Sequence, residues 1–122
     1  RFLVAEECTV HQNYKNKILQ AKDIDTIATG KRLGHPVRCL KNPFTRDLSK
    51  QEYNPNISDE ELEKMGAGAL RKAANEGDEK NGSFMAGQCA AMVHKEQPAK
   101  EMIEEMFAEA EQILRGASQF CK

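Results

Sequence analysis

Gly82-Ser83-Phe84-Met85-Ala86-Gly87-Gln88 is a run of small residues carrying one amide side chain, and the reading of the chain turns on it. Small residues let backbone N–H groups approach a ligand closely, and a helix opening just after them adds the positive end of its dipole. The run stands directly before the best helical pattern in the chain, and Gln88 offers two donors and an acceptor to a heteroaromatic ring. The same Gly-x-x-x-x-Gly spacing also suits a tight loop packed against a neighbouring helix, with no ligand involved.

Around this turn lie 122 residues, the size of one domain. Only 39% are hydrophobic and 6% aromatic, with no Trp, while 30% are charged. A domain of this length buries roughly 65% of its unfolded surface, and this composition offers little to bury. Either the chain is a small helical domain with a modest core, or it is part of a larger fold that completes the core. Arg1 favours the second reading: no initiator Met precedes it, and the apolar run Phe2-Leu3-Val4-Ala5 follows at once, as if cut from something longer. A net charge of −1 recruits no nucleic acid. No apolar run approaches the ~20 residues of a membrane span, and no signal peptide is present. Cys8, Cys39, Cys89 and Cys121 lie far apart with no Cys-x-x-Cys pair. That spacing fits reduced thiols filling apolar space in a cytosolic protein better than a metal site or a disulfide framework.

Thr9 is the expected N-cap of a helix from about Val10 to Ala21, in which Val10, Tyr14, Ile18 and Ala21 recur at helical spacing. Lys15, Lys17 and Lys22 gather toward its end, where cations favour the dipole, and His11 in the first turn reads as a surface or capping group. The β-branched runs Ile24 to Thr29 and Val37 to Leu40 suggest a hairpin, or two strands flanking a turn. Between them and beyond, Lys31, Arg32, His35, Arg38, Lys41 and Arg46 occur without a single acid. This local positive patch is either a solvated face or a contact for phosphates or an acidic partner.

Asn42-Pro43 interrupts the second strand, a loose helix runs from Phe44 to about Glu52, and Tyr53-Asn54-Pro55-Asn56 is a turn. Ser58, with Glu61 three residues on, forms a capping box for a short helix through Met65. Gly66 and Gly68 each cost a helix roughly 1 kcal/mol relative to Ala, so a close backbone contact is expected in compensation. A helix from Ala69 to Asn75 ends near Gly77, and Asp78 to Gly82 is a polar loop. After the turn, Cys89 to Val93 is a compact apolar helical piece, with His94 as partner to its C-terminal dipole. Pro98 suits the first turn of the last helix. On that helix Met102, Ile103, Met106, Phe107, Ala110, Ile113 and Leu114 share one face, and Gly116 marks its end. No Ser-His-Asp set, Walker loop or zinc spacing occurs, so the chain contains no self-sufficient catalytic constellation and no metal site.

Four stretches stand in order and spacing: Arg1-Phe2-Leu3-Val4-Ala5-Glu6-Glu7-Cys8, Gly34-His35-Pro36-Val37-Arg38, Met65-Gly66-Ala67-Gly68-Ala69-Leu70 and Met85-Ala86-Gly87-Gln88. Together they resemble the C-terminal part of the flavin-dependent enoyl-acyl carrier protein reductases of type II bacterial fatty-acid synthesis. That family is related to the nitronate monooxygenases (2-nitropropane dioxygenases). The resemblance covers essentially the whole chain. It implies an α/β parent, a TIM barrel, of which this chain would be a mainly α part with two short strands. In such proteins a Gly-Thr at the end of the eighth strand holds the flavin phosphate, consistent with anion sites in that part of the barrel. Arg1 would follow that dipeptide.

Residues 1–81 would then be a lid subdomain inserted after the last barrel strand. Residues 82–122 would be the flavin-proximal turn and the last barrel helix, its apolar stripe facing a sheet outside this chain. Met85, Ala86, Gly87 and Gln88 would bind FMN, and the catalytic histidine would lie upstream, leaving His11, His35 and His94 without that role. NADH or NADPH would reduce the flavin, which would pass hydride to the β-carbon of a trans-2-enoyl thioester. The implied partners are the upstream barrel, a second subunit in a cytoplasmic homodimer, and a substrate linked to acyl carrier protein. Since carrier proteins are acidic, Lys31, Arg32, His35, Arg38 and Lys41 would be the residues that meet it. The Met65 to Leu70 motif favours the reductase over nitronate oxidation on the same flavin. A non-catalytic helical interaction module is the alternative from another class.

Overall fold

The computed structural model describes residues 1–120; Cys121, one of the four thiols, lies outside the described residues. The chain is mainly helical, with one antiparallel pair of strands. In order come α1 (Gln12–Leu19), β1 (Thr26–Thr29), β2 (Val37–Leu40), α2 (Pro43–Gln51), α3 (Asp59–Gly66), α4 (Ala69–Arg71) and α5 (Ala99–Gly116). A π turn over Lys72–Glu76 extends α4, and a 3-10 turn covers Gln88–Met92. Among the described residues no helix is long and apolar enough to cross a membrane.

Helix α1 opens at His11, not Thr9. The His11 N–H donates to the Ala74 carbonyl at 2.7 Å, which fixes the extended backbone that an N-cap requires, and its Nδ1 then accepts from the Asn13 N–H at 3.1 Å. A tertiary contact has overridden the better capping residue. The hairpin forms as expected, pairing Thr26 with Leu40 and Thr29 with Val37. Asn42 and Ser58 cap α2 and α3 with reciprocal bonds to Thr45 and Glu61. Asn42 does more: its buried amide also donates to the carbonyls of Glu79 (3.1 Å) and Gly82 (2.7 Å), tying α2 to the polar loop.

The expected close contact at Gly66 and Gly68 is absent, since a β-carbon on either would meet nothing within 4 Å. Gly68 instead has φ +74, a left-handed turn that redirects the chain from α3 into α4. The expectation of a helix dipole behind the Gly82–Gln88 turn is also corrected. The segment directly after Gly87 is a five-residue 3-10 turn, and the long helix begins only at Ala99, too far on to present its N-terminus to the turn. So short a turn aligns few peptide dipoles. His94 lies beyond the extended cap residue Val93, outside that turn's last carbonyls.

Phe84 sits at the centre of the core. Val4, Ala5, Tyr14, Ile18, Leu40, Ala73, Ala90 and Met102 complete the buried cluster, and the Tyr14 and Phe84 rings lie 5.0 Å apart at 60°. From the stripe on α5 only Met102 is buried, while Phe107 is 73%, Ile113 72% and Leu114 73% exposed. Burial of a large apolar side chain stabilises by roughly 1.5–3 kcal/mol, and α5 forgoes most of that within this chain.

Candidate functional site

The Gly82–Gln88 turn divides in two. Its first half is embedded: a β-carbon on Gly82 would stand 2.6 Å from the Asp78 carbonyl oxygen and 2.8 Å from Ala73 Cα, so packing alone demands glycine there. The Ser83 N–H donates to the Ala69 carbonyl at 2.9 Å, and its Oγ lies 3.2 Å from the Cys39 sulfur. Phe84 is completely buried. The second half runs along the free edge of β2, where the Leu40 N–H donates to Phe84 (2.8 Å) and the Ala86 N–H to Arg38 (3.1 Å). These bonds pair Met85 with Cys39 in an antiparallel bridge.

Beyond Ala86 the turn comes to the surface. Gly87 and Gln88 are exposed, and Gly87 has φ −74 and ψ 171, a conformation open to any residue. A β-carbon there would meet only the Cys89 sulfur, at an ordinary 3.6 Å. Among the described residues nothing requires glycine at position 87.

Tyr14 was legible in the sequence only as a core position of α1. In the structure its hydroxyl donates to the Met85 carbonyl at 2.8 Å. Burial pushes the phenol pKa up to about 12, so it stays a donor across the neutral range. Next to it on α1, Lys15 is buried with its Nζ on the Ala5 carbonyl (2.8 Å) and on Glu96 Oε1 (2.7 Å). That ammonium, through its hydrogen bond, holds the Glu96 carboxyl below the usual range. Lys15 therefore acts as an internal tie and not as the helix-end cation its position suggested.

Past the turn opens a cavity of about 640 Å³, walled by Cys89, Met92, Val93, His94 and Gln97 and rimmed by Arg1, Lys95 and Glu105. Both Arg1 and Lys95 pair with Glu105, and these contacts, Lys95 first, lower its pKa. Gln97 is 4% exposed, and among the described residues neither its Nε2 nor its Oε1 has a hydrogen-bond partner. Met85, Ala86, Gly87 and Gln88 stand beside this cavity and not in its wall.

The basic residues do not form one surface. Lys31, Arg32 and His35 lie at the hairpin tip, whereas Lys41 and Arg46 lie at its other end, roughly 10 Å away by strand rise. Arg32 is committed within the chain, to Asp59 and to the carbonyls of Asn54 and Ile57. The exposed Arg38 donates to Thr26 Oγ1 at 3.1 Å, and Lys41 to the Ile24 carbonyl. Lys17, Lys41 and Arg46 instead converge on a cleft of about 240 Å³. Lys17 was not part of the sequence-level patch, because its neighbours there come from a different element. Among the described residues no group of three or more His, Cys, Asp or Glu could hold a metal ion. Cys8 is half-buried and Cys39 buried, as fillers should be, but Cys89 is exposed at the cavity wall.

Comparison with known proteins bears on the same residues. A family model for nitronate monooxygenase matches residues 1–109. The "Probable nitronate monooxygenase" of Staphylococcus saprophyticus is 32% identical over 114 residues, covering 93% of this chain and 31% of that protein. FabK from Thermotoga maritima superposes with a TM-score of 0.83 at 42% identity, over 95% of this chain and 37% of FabK. A methionine-to-alanine variant of the same FabK gives a TM-score of 0.79 at 34% identity, over 98% of this chain and 35% of the variant. The chain thus spans about a third of the length of these relatives.

Proposed function

This chain belongs to the nitronate monooxygenase family, and on that footing we propose that it supplies the lid and last helix of a flavin-dependent enoyl-acyl carrier protein reductase built on a TIM barrel. The observation that supports the reductase reading is the superposition on FabK, with a TM-score of 0.83 over 95% of the chain. Residues 1–81 form the lid in this proposal, and residues 82–122 the flavin-facing turn and closing helix. The exposed stripe of Phe107, Ile113 and Leu114 is then the surface that α5 turns toward the barrel.

The residues present suit a flavin. Gly87 leaves room that the described residues do not use. In this reading Met85 gives the ring a soft apolar face and Gln88 an orienting hydrogen bond, while Met92 and Val93 keep water from the adjoining space. When bound, FMN supplies the hydride chemistry, taking hydride from NADH or NADPH for delivery to the β-carbon of a trans-2-enoyl thioester. This chain orients and shields; the proton donor and most flavin contacts belong to the rest of the protein. Lys41 and Arg46, with Lys17, line a cleft that also holds Asp25, and in this reading its net positive charge helps to steer an acidic carrier protein.

The second reading, oxidation of alkyl nitronates on the same flavin, rests on the family model and the Staphylococcus relative. One experiment separates the two. The full-length protein loaded with FMN should consume NADH or NADPH anaerobically when given a trans-2-enoyl thioester. Oxygen uptake on a nitronate, with no thioester reduction, overturns the reductase in favour of the oxygenase. Failure of the full-length protein to hold FMN overturns both.

A further inference from the structure

Resting on that reading, we infer that Tyr14 is the positioning residue for the flavin-facing turn. The peptide unit joining Met85 to Ala86 is a rigid plane with one acceptor and one donor. Its carbonyl accepts from the Tyr14 hydroxyl at 2.8 Å, and its N–H donates to the Arg38 carbonyl at 3.1 Å. The plane is thus pinned from both sides, by α1 on one and β2 on the other. Its orientation sets the direction in which the Met85 side chain and the Gly87 backbone leave the sheet edge. Residues past Ala86 have no comparable anchor until the Ala90 N–H closes on Gly87 at 3.1 Å.

The phenol is held as firmly as the peptide it holds. Tyr14 is 2% exposed and its ring packs against Phe84. The ring cannot swing away without opening the core. The hydroxyl and the ring therefore have separable duties: the ring fills the core, and the hydroxyl aims the turn. Removing only the hydroxyl leaves the plane held at its N–H and free to rock about it.

The test is Tyr14→Phe in the full-length protein, with Ile18→Val as the control. Ile18 lies one turn along the same helix, 4% exposed, and Val there loosens the core while leaving the Tyr14 hydroxyl in place. Tyr14→Phe is expected to raise the FMN dissociation constant about two- to tenfold, the effect of one hydrogen bond, and to shift the visible spectrum of the bound flavin. Ile18→Val should lower the melting temperature while leaving affinity and spectrum unchanged. A Tyr14→Phe protein that melts lower but keeps wild-type affinity and spectrum overturns the inference and leaves the proposed function standing. So does an equal loss of affinity in both variants. A wild-type protein that binds no flavin overturns the proposed function and this inference with it. If Tyr14→Phe does not fold, fluorotyrosine placed at position 14 keeps ring and hydroxyl. Its fluorine resonance should then move on FMN binding, and an unmoved resonance overturns the inference.

Discussion

At the scale of single residues, two glycines in one turn have opposite reasons for being there. Gly82 is fixed by Asp78 and Ala73 of its own chain, while Gly87 faces space that its own chain leaves empty. The sequence shows both as the same letter, five apart, and only the surrounding backbone tells them apart. Tyr14 was likewise hidden, since its partner Met85 lies 71 residues away and no local pattern announces such a bond. Its titration provides a test with a definite sign. The folded phenol loses its proton near pH 12, against about 10 for an unfolded tyrosine. Above about 10 the unfolded chain binds fewer protons than the native one, so the contribution is whole below that pH and is lost as pH rises toward about 12. Wild-type melting temperature should therefore fall over that interval more steeply than that of Tyr14→Phe. Parallel curves would mean that the phenol is not held as the structure has it.

At the scale of elements, the local rules worked wherever the partners were local. The hairpin, the Ser58 box and the length of α5 were all legible, because alternation, capping and a stripe with a 3.6-residue period act within a few residues. They failed where a distant group intervened, as at the start of α1, where Ala74 fixes His11. The segment Gln88–Met92 is a 3-10 turn for a different reason: an apolar run of five residues does not by itself distinguish a true helix from a 3-10 turn. The capping box allows a direct measurement. Ser58 Oγ accepts from the Glu61 N–H at 3.2 Å, and the Glu61 carboxylate accepts from the Ser58 N–H at 2.8 Å. Ser58→Ala should cost about 1 kcal/mol in denaturant unfolding, with Ser58→Gly milder by comparison. Equal stability of the Ala variant and wild type would show that α3 draws nothing from its cap.

At the scale of the whole molecule, the thin composition and the exposed stripe on α5 are what the proposed function expects of a chain that packs against the rest of a barrel. Its charge obeys the same logic. The linear patch resolves into a tip where Arg32 is bonded within the chain and a cleft where Lys41 and Arg46 meet Lys17. On the proposed function, reversing Lys41 and Arg46 to Glu in the full-length protein should weaken turnover of carrier-protein substrates, more at low salt, and spare small thioesters. Equal loss on both would point instead to nicotinamide binding or damage to the hairpin. The central claim is that the exposed half of the turn meets the flavin, and Gly87→Val in the full-length protein tests it most directly. The measurement is the FMN dissociation constant together with the melting temperature of the apoprotein. The predicted result is loss of FMN with apoprotein stability close to wild type, because the new side chain fills space that only the cofactor uses. The contradicting result is unchanged FMN affinity with apo and holo forms melting equally lower.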